Sequence, residues 1–319
     1  MGIIHSMPDA TWDWSLHRLR IIETVARHGS VTRAAEELRI AQPAVSHQLR
    51  ALEREVGAPL VVRRGRGIEL TPAGVAVAAG ARAILDRLSD VGRELVDLEG
   101  GVRGSIVIAA DSTSGVFVVP PALGAFHRAH PKVEIRLIIA NRAGVIDALA
   151  ARTCDLAVMA DPPADPPVEV APFLADRIVL IGAPDNPLVQ RSADPATPPA
   201  SVDELAAERF LVREPGSGTR RALERWFVRR NRTLPVGFEL GDGEAVVQAV
   251  RANLGIAAIS RWAIDLELES NRLGLIRAEG FPIERAWSLV HLRDRPLSSA
   301  GAACRSFLLE ESRRMTPPG

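Results

Sequence analysis

Apolar residues recur at helical spacing in the first part of the chain. Leu19, Ile22 and Val25 lie three positions apart, and the pattern stops at His28 and Gly29, which favours a helix that ends at a glycine cap. Ser30 is a good N-cap for a short second helix, and Gln42 and Pro43 open a third after a brief turn. The predicted helices span 16–28 and 31–38, with the third beginning at 42.

The third helix has one apolar and one polar face. Val45, Leu49 and Leu52 share the apolar face. The polar face carries Gln42, Pro43, Ser46, His47 and Arg50. Two helices joined by a tight turn, the second presenting such groups near its N-terminus, meet the needs of a DNA major groove, which presents donors and acceptors on base edges. An ordinary solvated face is the alternative for this helix taken alone.

A short basic hairpin follows. The stretch LVVRRGRGIELT predicts two strands around a tip at Arg63, Arg64, Gly65, Arg66 and Gly67, like a wing beside a recognition helix. The whole chain of 319 residues holds 39 basic and 39 acidic residues, so its net charge is zero. Residues 15–70, however, hold ten arginines and six glutamates, a local charge of +4. The positive charge therefore lies where DNA contact is predicted.

A long helix with a heptad pattern begins at Thr71 and Pro72. Its apolar positions alternate by four and three: Val77, Ala81, Ile84, Leu88, Val91, Leu95 and Leu98. This seam needs a second subunit or the following domain to cover it, and a two-stranded coil is the simpler solution. We therefore expect a dimer, whose two-fold symmetry would place two recognition helices on an interrupted palindromic operator.

From residue 105 onward, short apolar runs alternate with helical patterns. The runs IVIAA, VEIRLIIA and DLAVMA, with helices between them, predict a βαβαβ unit with a parallel sheet. A second set with RIVLIGA, RFLVRE and GIAAIS predicts a second α/β lobe. Ligands of such sheets bind at the carboxyl ends of the strands, where helix N-termini also point. We therefore expect a ligand site between the two lobes.

Polar and glycine residues at predicted strand ends are candidates for that site. The most distinctive group is Gly216, Ser217, Gly218, Thr219 and Arg220, which offers backbone N–H groups, hydroxyls and a guanidinium for an anionic metabolite. The other candidates are Ser112, Thr113, Asn141, Arg142 and Glu244. The structural alternative is that Ser217 and Thr219 only cap a helix and Arg220 is solvated; for the others it is ordinary turn chemistry.

Several classes of protein are disfavoured. Lys132, the sole lysine, follows a proline, so a phosphate-binding GxxxxGK[ST] loop is excluded, and the GxGxxG and GxSxG patterns do not occur. The seven histidines lack metal-ligand spacing, and Cys154 and Cys304 are too isolated for a redox pair, so we expect core thiols, no catalytic residues, no metal and no cofactor. No signal peptide or membrane-length apolar run is seen, so we expect a cytoplasmic protein without a membrane partner.

The segment over residues 16–74 resembles the DNA-binding domain of LysR-type transcriptional regulators. GSVTRAAEEL, QPAVSHQLRALE, LVVRRGRG and LTPAG follow one another at that family's spacing. The resemblance implies that Gln42, Pro43, Ser46 and His47 contact the operator grooves, Arg33 the DNA backbone, and Arg63 and Arg66 the wing contacts. It also implies a tetramer built as a dimer of dimers and RNA polymerase as a further partner. Val61 and Ala41 depart from the family, which usually has Phe and often Ser there.

Within that family, LVREPGSGTR, NRAGVIDALA and GIAAIS are similar to the branch that regulates Calvin-cycle carbon-fixation operons. That branch commonly senses phosphorylated or nicotinamide metabolites. At GDGEAVVQAV the chain departs from it, because Asp242 and Gly243 replace Ser and Asn and Val247 replaces a lysine. The identity of the ligand is therefore not carried over.

Together these patterns predict a mostly-α winged helix-turn-helix domain with a long linker helix, followed by a two-lobed α/β effector domain like a periplasmic binding protein. The expected parts are an N-terminal extension over 1–14, the DNA-binding domain over 15–73, a linker and dimerisation helix over 74–101, and the effector domain over 102–319. The expected function is a non-enzymatic regulator that binds double-stranded DNA and responds to an anionic metabolite. The alternative is a stand-alone small-molecule binding module of the periplasmic type.

Overall fold

The computed structural model describes residues 14–64, 67–98 and 101–315, except for the side chains at positions 90, 93, 94 and 96–98. The chain divides into two compact units, residues 1–95 and 96–319.

The first unit consists of three short helices, a hairpin and a long helix. Its elements are α1 (Leu16–His28), α2 (Val31–Leu38), α3 (Gln42–Val56), β1 (Val61–Arg64), β2 (Gly67–Leu70) and α4 (Pro72–Leu98). Ser15 and Ser30 accept hydrogen bonds at the N-termini of α1 and α2, and Gly29 and Gly57 end α1 and α3 in the left-handed conformation. The predicted helices and hairpin are confirmed.

The apolar faces of these helices form one core. Leu19, Ile22, Val25, Val45 and Leu52 are 2% exposed or less. Removing such side chains from water supplies most of the stability of a domain of this size, at about 25 cal/mol per Å² of buried apolar area. The polar face of α3 is thereby directed outward.

The hairpin is attached to α3 and α4 by specific contacts. The Glu53 carboxylate near the end of α3 accepts hydrogen bonds from the backbone N–H groups of Leu60 (2.9 Å) and Val61 (3.3 Å). Thr71 Oγ1 donates to the carbonyl of Pro59 at 2.7 Å, and accepts from Gly74 N at 3.0 Å at the start of α4. A Cβ at Gly74 would collide with the Leu60 backbone, so glycine permits this close approach.

Helix α4 buries only the first part of its heptad seam. Ala81 is fully buried in the first unit, whereas Ile84, Leu88, Val91 and Leu95 are 47%, 44%, 38% and 59% exposed. The side chain of Leu98 lies outside the described residues. Along most of its length the described seam is thus an apolar stripe open to solvent within this chain.

The second unit begins with the predicted βαβαβ pattern. Its elements are β3 (Gly104–Asp111), a π-helical turn (Ser114–Val118), α5 (Val119–Ala129), β4 (Val133–Ala140), α6 (Arg142–Ala150) and β5 (Leu156–Ala160). Strand β3 pairs in parallel with both β4 and β5. The remaining elements are β6 (Val168–Gly182), α7 (Pro187–Ser192), α8 (Val202–Ala206), β7 (Phe210–Arg213), α9 (Gly218–Val228), β8 (Val236–Leu240), α10 (Gly243–Arg251), β9 (Ala257–Ser260), α11 (Asp265–Glu269), β10 (Gly274–Ile276), β11 (Ile283–Leu292) and α12 (Ser299–Ser312).

Two long antiparallel strands connect two lobes. Strand β11 pairs with β6 along its whole length, from Ile283 opposite Ile178 to Leu292 opposite Val168. One end belongs to a core around Phe126 and Trp287, and the other to a core around Phe210. Strands β3, β4 and β5 are parallel, as predicted, and β11 adds an antiparallel neighbour to β5 that was not predicted. The two-lobed α/β architecture itself is confirmed.

Candidate functional site

The polar face of α3 is open to solvent. Gln42, Pro43, His47 and Arg50 are exposed, and Ser46 is partly buried between them. Gln42 Nε2 donates to Ser46 Oγ at 3.2 Å, and Arg50 Nε donates to the Ser46 carbonyl at 3.2 Å. The structure thus brings the five predicted residues together on one surface, with Ser46 holding two of the neighbouring side chains in place.

Two further predicted DNA-contacting residues lie on α2 and the hairpin. Arg33 is exposed and donates to the carbonyl of His28, at the end of α1. Arg63 is exposed on β1, and its neighbour Arg64 pairs with Glu69 at 2.7 Å across the hairpin. Arg66 lies outside the described residues.

An exposed ion pair fixes α2 against α1. Arg27 donates to both carboxylate oxygens of Glu37, at 2.8 and 2.6 Å, and His28 Nε2 lies 2.7 Å from the same carboxylate. The hydrogen bond from Arg27, followed by that from His28, lowers the pKa of Glu37 to about 2. These contacts join the end of α1 to α2, the first helix of the helix-turn-helix.

A cavity of about 720 Å³ lies in the second unit, at the carboxyl ends of parallel strands from both lobes. Ser112 and Thr113 follow β3, Asn141 follows β4, and Arg213 ends β7. The opposite wall comes from the start of α10 and from β9. Its apolar lining consists of Val116, Phe117, Ile139, Ala140, Val246, Val247, Ala258, Ile259 and Ala263. The volume is within the usual range of small-molecule sites, about 300–1,000 Å³.

The cavity contains an arginine that is already paired with a carboxylate. Arg213 Nε donates to Glu214 Oε2 at 2.8 Å, and Nη2 donates to Glu214 Oε1 at 3.1 Å and to Ser112 Oγ at 3.2 Å. Asn141 Nδ2 also donates to Glu214, at 2.9 Å. Burial raises the pKa of the Glu214 carboxyl, but the hydrogen bonds from Arg213 and Asn141 outweigh it and hold the pKa below its usual value.

Most of the predicted effector residues lie at this cavity or beside it. Ser112, Thr113, Asn141, Thr219 and Glu244 line it. A small adjoining recess of about 20 Å³ is lined by Arg142, Ser217 and Gly218. Arg142 donates to the carbonyl of Asp161 at 3.0 and 2.6 Å, and burial, then Arg221, lowers the pKa of its guanidinium. Gly216 lines neither space; its carbonyl accepts from Ala143 N at 3.3 Å.

The geometry of Arg220 differs from the expectation that it faces the ligand. Its Nε donates to Glu224 and its Nη1 to Glu239 on β8, at 2.8 and 2.6 Å, and Nη1 also donates to the carbonyl of Arg213. Arg220 lies in the first turn of α9, three residues after the N-cap. Neither Arg220 nor its two carboxylate partners line the cavity. Its contacts support the backbone that carries Arg213.

Capping and cavity lining are combined in two residues. Ser217 accepts from Arg220 N at the start of α9, and Asn141 accepts from Gly144 N at the start of α6. Ser217 therefore does cap a helix, as the structural alternative predicted, and it also lines the recess. Asn141 does both: its amide oxygen caps α6, while its amide nitrogen binds Glu214.

Arg213 and Glu214 were not predicted as site residues. They stand in LVREP, directly before GSGTR, and the available signal was their place at the end of the predicted strand RFLVRE. The role of Asp111 was also not predicted: its carboxylate accepts from Trp287 Nε1 at 2.9 Å and from Ser114 Oγ at 2.8 Å. Through the contact with Trp287, Asp111 connects the end of β3 to β11.

The two cysteine thiols are buried, and burial raises the pKa of both Cys154 and Cys304 to about 12. Within residues 14–64, 67–98 and 101–315, no cluster of His, Cys, Asp and Glu could hold a metal ion. Over the same ranges, no helix is both long and apolar enough to cross a bilayer.

Comparisons with known proteins match both units. Residues 16–75 match the family model described as "Bacterial regulatory helix-turn-helix protein, lysR family", and residues 99–313 match "LysR substrate binding domain". A RuBisCO operon transcriptional regulator of Allochromatium vinosum is 43% identical over 301 residues, which cover 94% of this chain and 97% of that protein. A second, from Acidithiobacillus ferrooxidans, is 38% identical over 93% of this chain and 94% of its own length.

Two solved structures extend the comparison. The regulatory domain of CcmR from Synechocystis PCC6803, in complex with 2-PG, is 29% identical, covers 67% of this chain and 99% of its own, and superposes with a TM-score of 0.62. The match to full-length CbnR in complex with its target DNA covers 94% of this chain and 100% of CbnR, with a TM-score of 0.63. At 20% sequence identity, this match shows the fold alone. The resemblance to regulators of carbon-fixation operons is confirmed, and so is the expectation that the chain is not an enzyme. The chain belongs to the LysR family of transcriptional regulators, with a helix-turn-helix domain and an effector-binding domain.

Proposed function

We propose that this regulator acts at a carbon-fixation operon, where it binds an interrupted palindromic operator and responds to a small anionic metabolite. Arg213, at the end of β7 in a cavity of about 720 Å³, is the observation that carries the effector part of the proposal. The 43% identity to a RuBisCO operon regulator supports the choice of operon. We place the protein in the cytoplasm, with DNA and RNA polymerase as partners.

The exposed residues of α3, with Arg33 and Arg63, form the DNA-contacting surface of this proposal. Gln42, Ser46 and His47 offer donors and acceptors to base edges, while arginines suit the phosphate backbone. Arg66, in the wing tip, belongs to the same prediction. The exposed seam of α4 pairs two chains, and a tetramer follows from two such dimers.

The effector cavity offers a guanidinium group to an anion, but the Glu214 carboxylate already pairs with it. Glu214 occupies two of the donors of Arg213 and one of Asn141. A carboxylate or phosphate group that reaches Arg213 would displace Glu214 and take over these charge-assisted bonds. Because Ser112 and Asn141 belong to one lobe and Arg213 to the other, such a ligand would contact both lobes at once. The CcmR domain that contains 2-PG makes this compound the first probe to use.

An electrophoretic mobility shift on the DNA upstream of the protein's own gene tests the proposal. We expect a specific shift that weakens steeply between two salt concentrations, because phosphate contacts release counter-ions, and that survives scrambled competitor DNA. Addition of 2-PG should change the mobility or affinity of the complex. A folded, oligomeric protein that binds neither this DNA nor the promoter of a RuBisCO operon would contradict the proposal.

A further inference from the structure

A second cavity, of about 520 Å³, lies between α9 and the start of β11. Its lining includes four arginines, Arg225, Arg229, Arg230 and Arg285, together with Trp226 and Gly280. Neither the proposed effector contacts nor the DNA-contacting surface uses this group of side chains, apart from the edge that Arg285 shares with the small recess beside Arg213.

The carboxylates near this cavity leave two of its cations unneutralised. Asp161 pairs with Arg225 at 2.6 Å, Asp176 pairs with Arg285, and Glu284 pairs with Arg177, whose side chain is not part of the lining. Across the described ranges, no carboxylate forms an ion pair with Arg229 or Arg230. The cavity therefore carries a local positive charge on one face of α9.

Trp226 adds a buried donor that lacks an acceptor. The residue is 5% exposed, and its indole Nε1 is buried without a hydrogen-bond partner among the described residues. The Arg230 guanidinium lies over the indole, 4.1 Å from the ring centroid. Gly280, with φ of 76°, lies beside both groups: a Cβ there would collide with the Arg230 guanidinium and lie 2.9 Å from Nε1. Buried polar groups normally have partners, so an unpaired indole N–H at a cavity wall points to a missing acceptor.

We propose that this cavity is a second ligand site, which binds a small phosphate-bearing anion of at least two negative charges. Arg229 and Arg230 supply the two uncompensated guanidinium groups, each able to bind a phosphate oxygen pair. The indole N–H of Trp226 supplies a further donor once the Arg230 side chain turns from the ring towards the ligand. A singly charged carboxylate would leave one of the two guanidinium groups unpaired.

The position of Arg285 connects this site to the first cavity. Arg285 and Gly218 line both the second cavity and the small recess that also contains Arg213 and Ser112. The lining of the second cavity extends along α9 from Gly218, at its N-terminus, to Arg229 and Arg230, just after its last turn. Thr219 of the same helix faces the first cavity. Occupancy of one site can shift the affinity of the other if the two sites prefer the same arrangement of α9.

Calorimetric titration of the full-length protein with inorganic pyrophosphate tests the second site. We expect Arg229→Gln combined with Arg230→Gln to remove one binding event, or to weaken it at least tenfold, and Trp226→Phe to weaken the same event. Arg272→Gln, at an exposed position outside both cavities, is the matched control and should bind as the wild type does. Arg213→Gln should leave this event in place.

Three results would overturn the second site. They are wild-type pyrophosphate binding in the double variant, loss of the event in Arg213→Gln, and equal weakening in Arg272→Gln, which would show a general effect of charge. None of these outcomes depends on operator binding, so failure of the second site and failure of the proposed regulatory function are distinguishable by the mobility shift.

Discussion

At the scale of single residues, the main feature of the effector cavity is the ion pair between Arg213 and Glu214. Glu214 neutralises Arg213 inside a partly buried site, where water screens the pair less than at the surface. Any anionic effector must compete with this intramolecular carboxylate. A weakly charged ligand would therefore bind poorly, because it could not displace the Glu214 carboxylate from Arg213.

Replacement of Glu214 by Gln should strengthen the binding of 2-PG by about tenfold, equivalent to about 1.4 kcal/mol. The neutral amide competes less well for Arg213 and removes a negative charge from the path of the ligand. Isothermal titration measures the effect. Glu244→Gln is the matched control, because it removes a charge from the same cavity at a side chain that hydrogen-bonds to Gln248 instead of an arginine. Weaker binding in Glu214→Gln would show that the carboxylate itself contacts the ligand.

Among the elements, helix α4 has two structural roles, one at its beginning and one in its later turns. Its beginning packs closely on the hairpin junction, and its later turns present the open apolar seam. These tasks can be separated by substitutions at the two ends.

Gly74→Ala should destabilise the first unit by about 1–3 kcal/mol, because the added methyl group collides with the Leu60 backbone. Gly80→Ala, in the same helix and with no atom within 4 Å of an added Cβ, should instead stabilise it by about 0.5–1 kcal/mol. Denaturant unfolding of both variants measures the difference. Equal effects of the two substitutions would contradict the packing described for Gly74.

Leu88→Arg should dissociate the dimer without unfolding the chain. Leu88 is 44% exposed in the single chain, so its replacement costs the chain's own core little, whereas a charge in a paired seam is strongly unfavourable. Light scattering after size-exclusion chromatography gives the mass. Val75→Arg is the control, since Val75 is 55% exposed and lies on the side of α4 opposite Val77. A dimer that persists in Leu88→Arg would place the interface elsewhere.

For the whole molecule, DNA binding and effector binding reside in units with separate cores. The two lobes of the second unit are connected by β6 and β11, the pair that runs from one core to the other. A ligand that contacts both lobes favours one of their arrangements, and this preference is what can alter operator binding.

Ser46→Ala combined with Arg63→Ala should abolish the operator shift, while the rise in melting temperature caused by 2-PG persists. Thr219→Ala combined with Arg213→Gln should do the reverse: operator affinity is retained and the response to 2-PG is lost. Mobility shift and thermal unfolding on each double variant provide the two measurements. Loss of both activities in either variant would indicate a folding defect or a single shared site.

Much of this architecture follows from local sequence. The caps at Ser15, Ser30 and Gly29 and the spacing of apolar residues determine where the first helices begin and end, because these signals act within a few residues. The strands that the sequence analysis did not identify, β8, β10 and β11, are placed by partners far away in the chain. The antiparallel pairing of β11 with β5 and β6 is of this kind, since nothing local distinguishes an antiparallel from a parallel neighbour.

The same division applies to the sites. The order of a helix-turn-helix and a two-lobed α/β domain can be predicted from the sequence, and so can the positions of Ser112, Asn141 and Thr219 after predicted strands, because periodicity and turn chemistry are local properties. That Arg213 lines the cavity and Arg220 does not depends instead on contacts between distant parts of the chain. Both arginines stand near the same turn, and their directions depend on which carboxylates other strands bring alongside: Glu239 from β8 draws Arg220 away, while Ser112 from β3 and the adjacent Glu214 hold Arg213 inside.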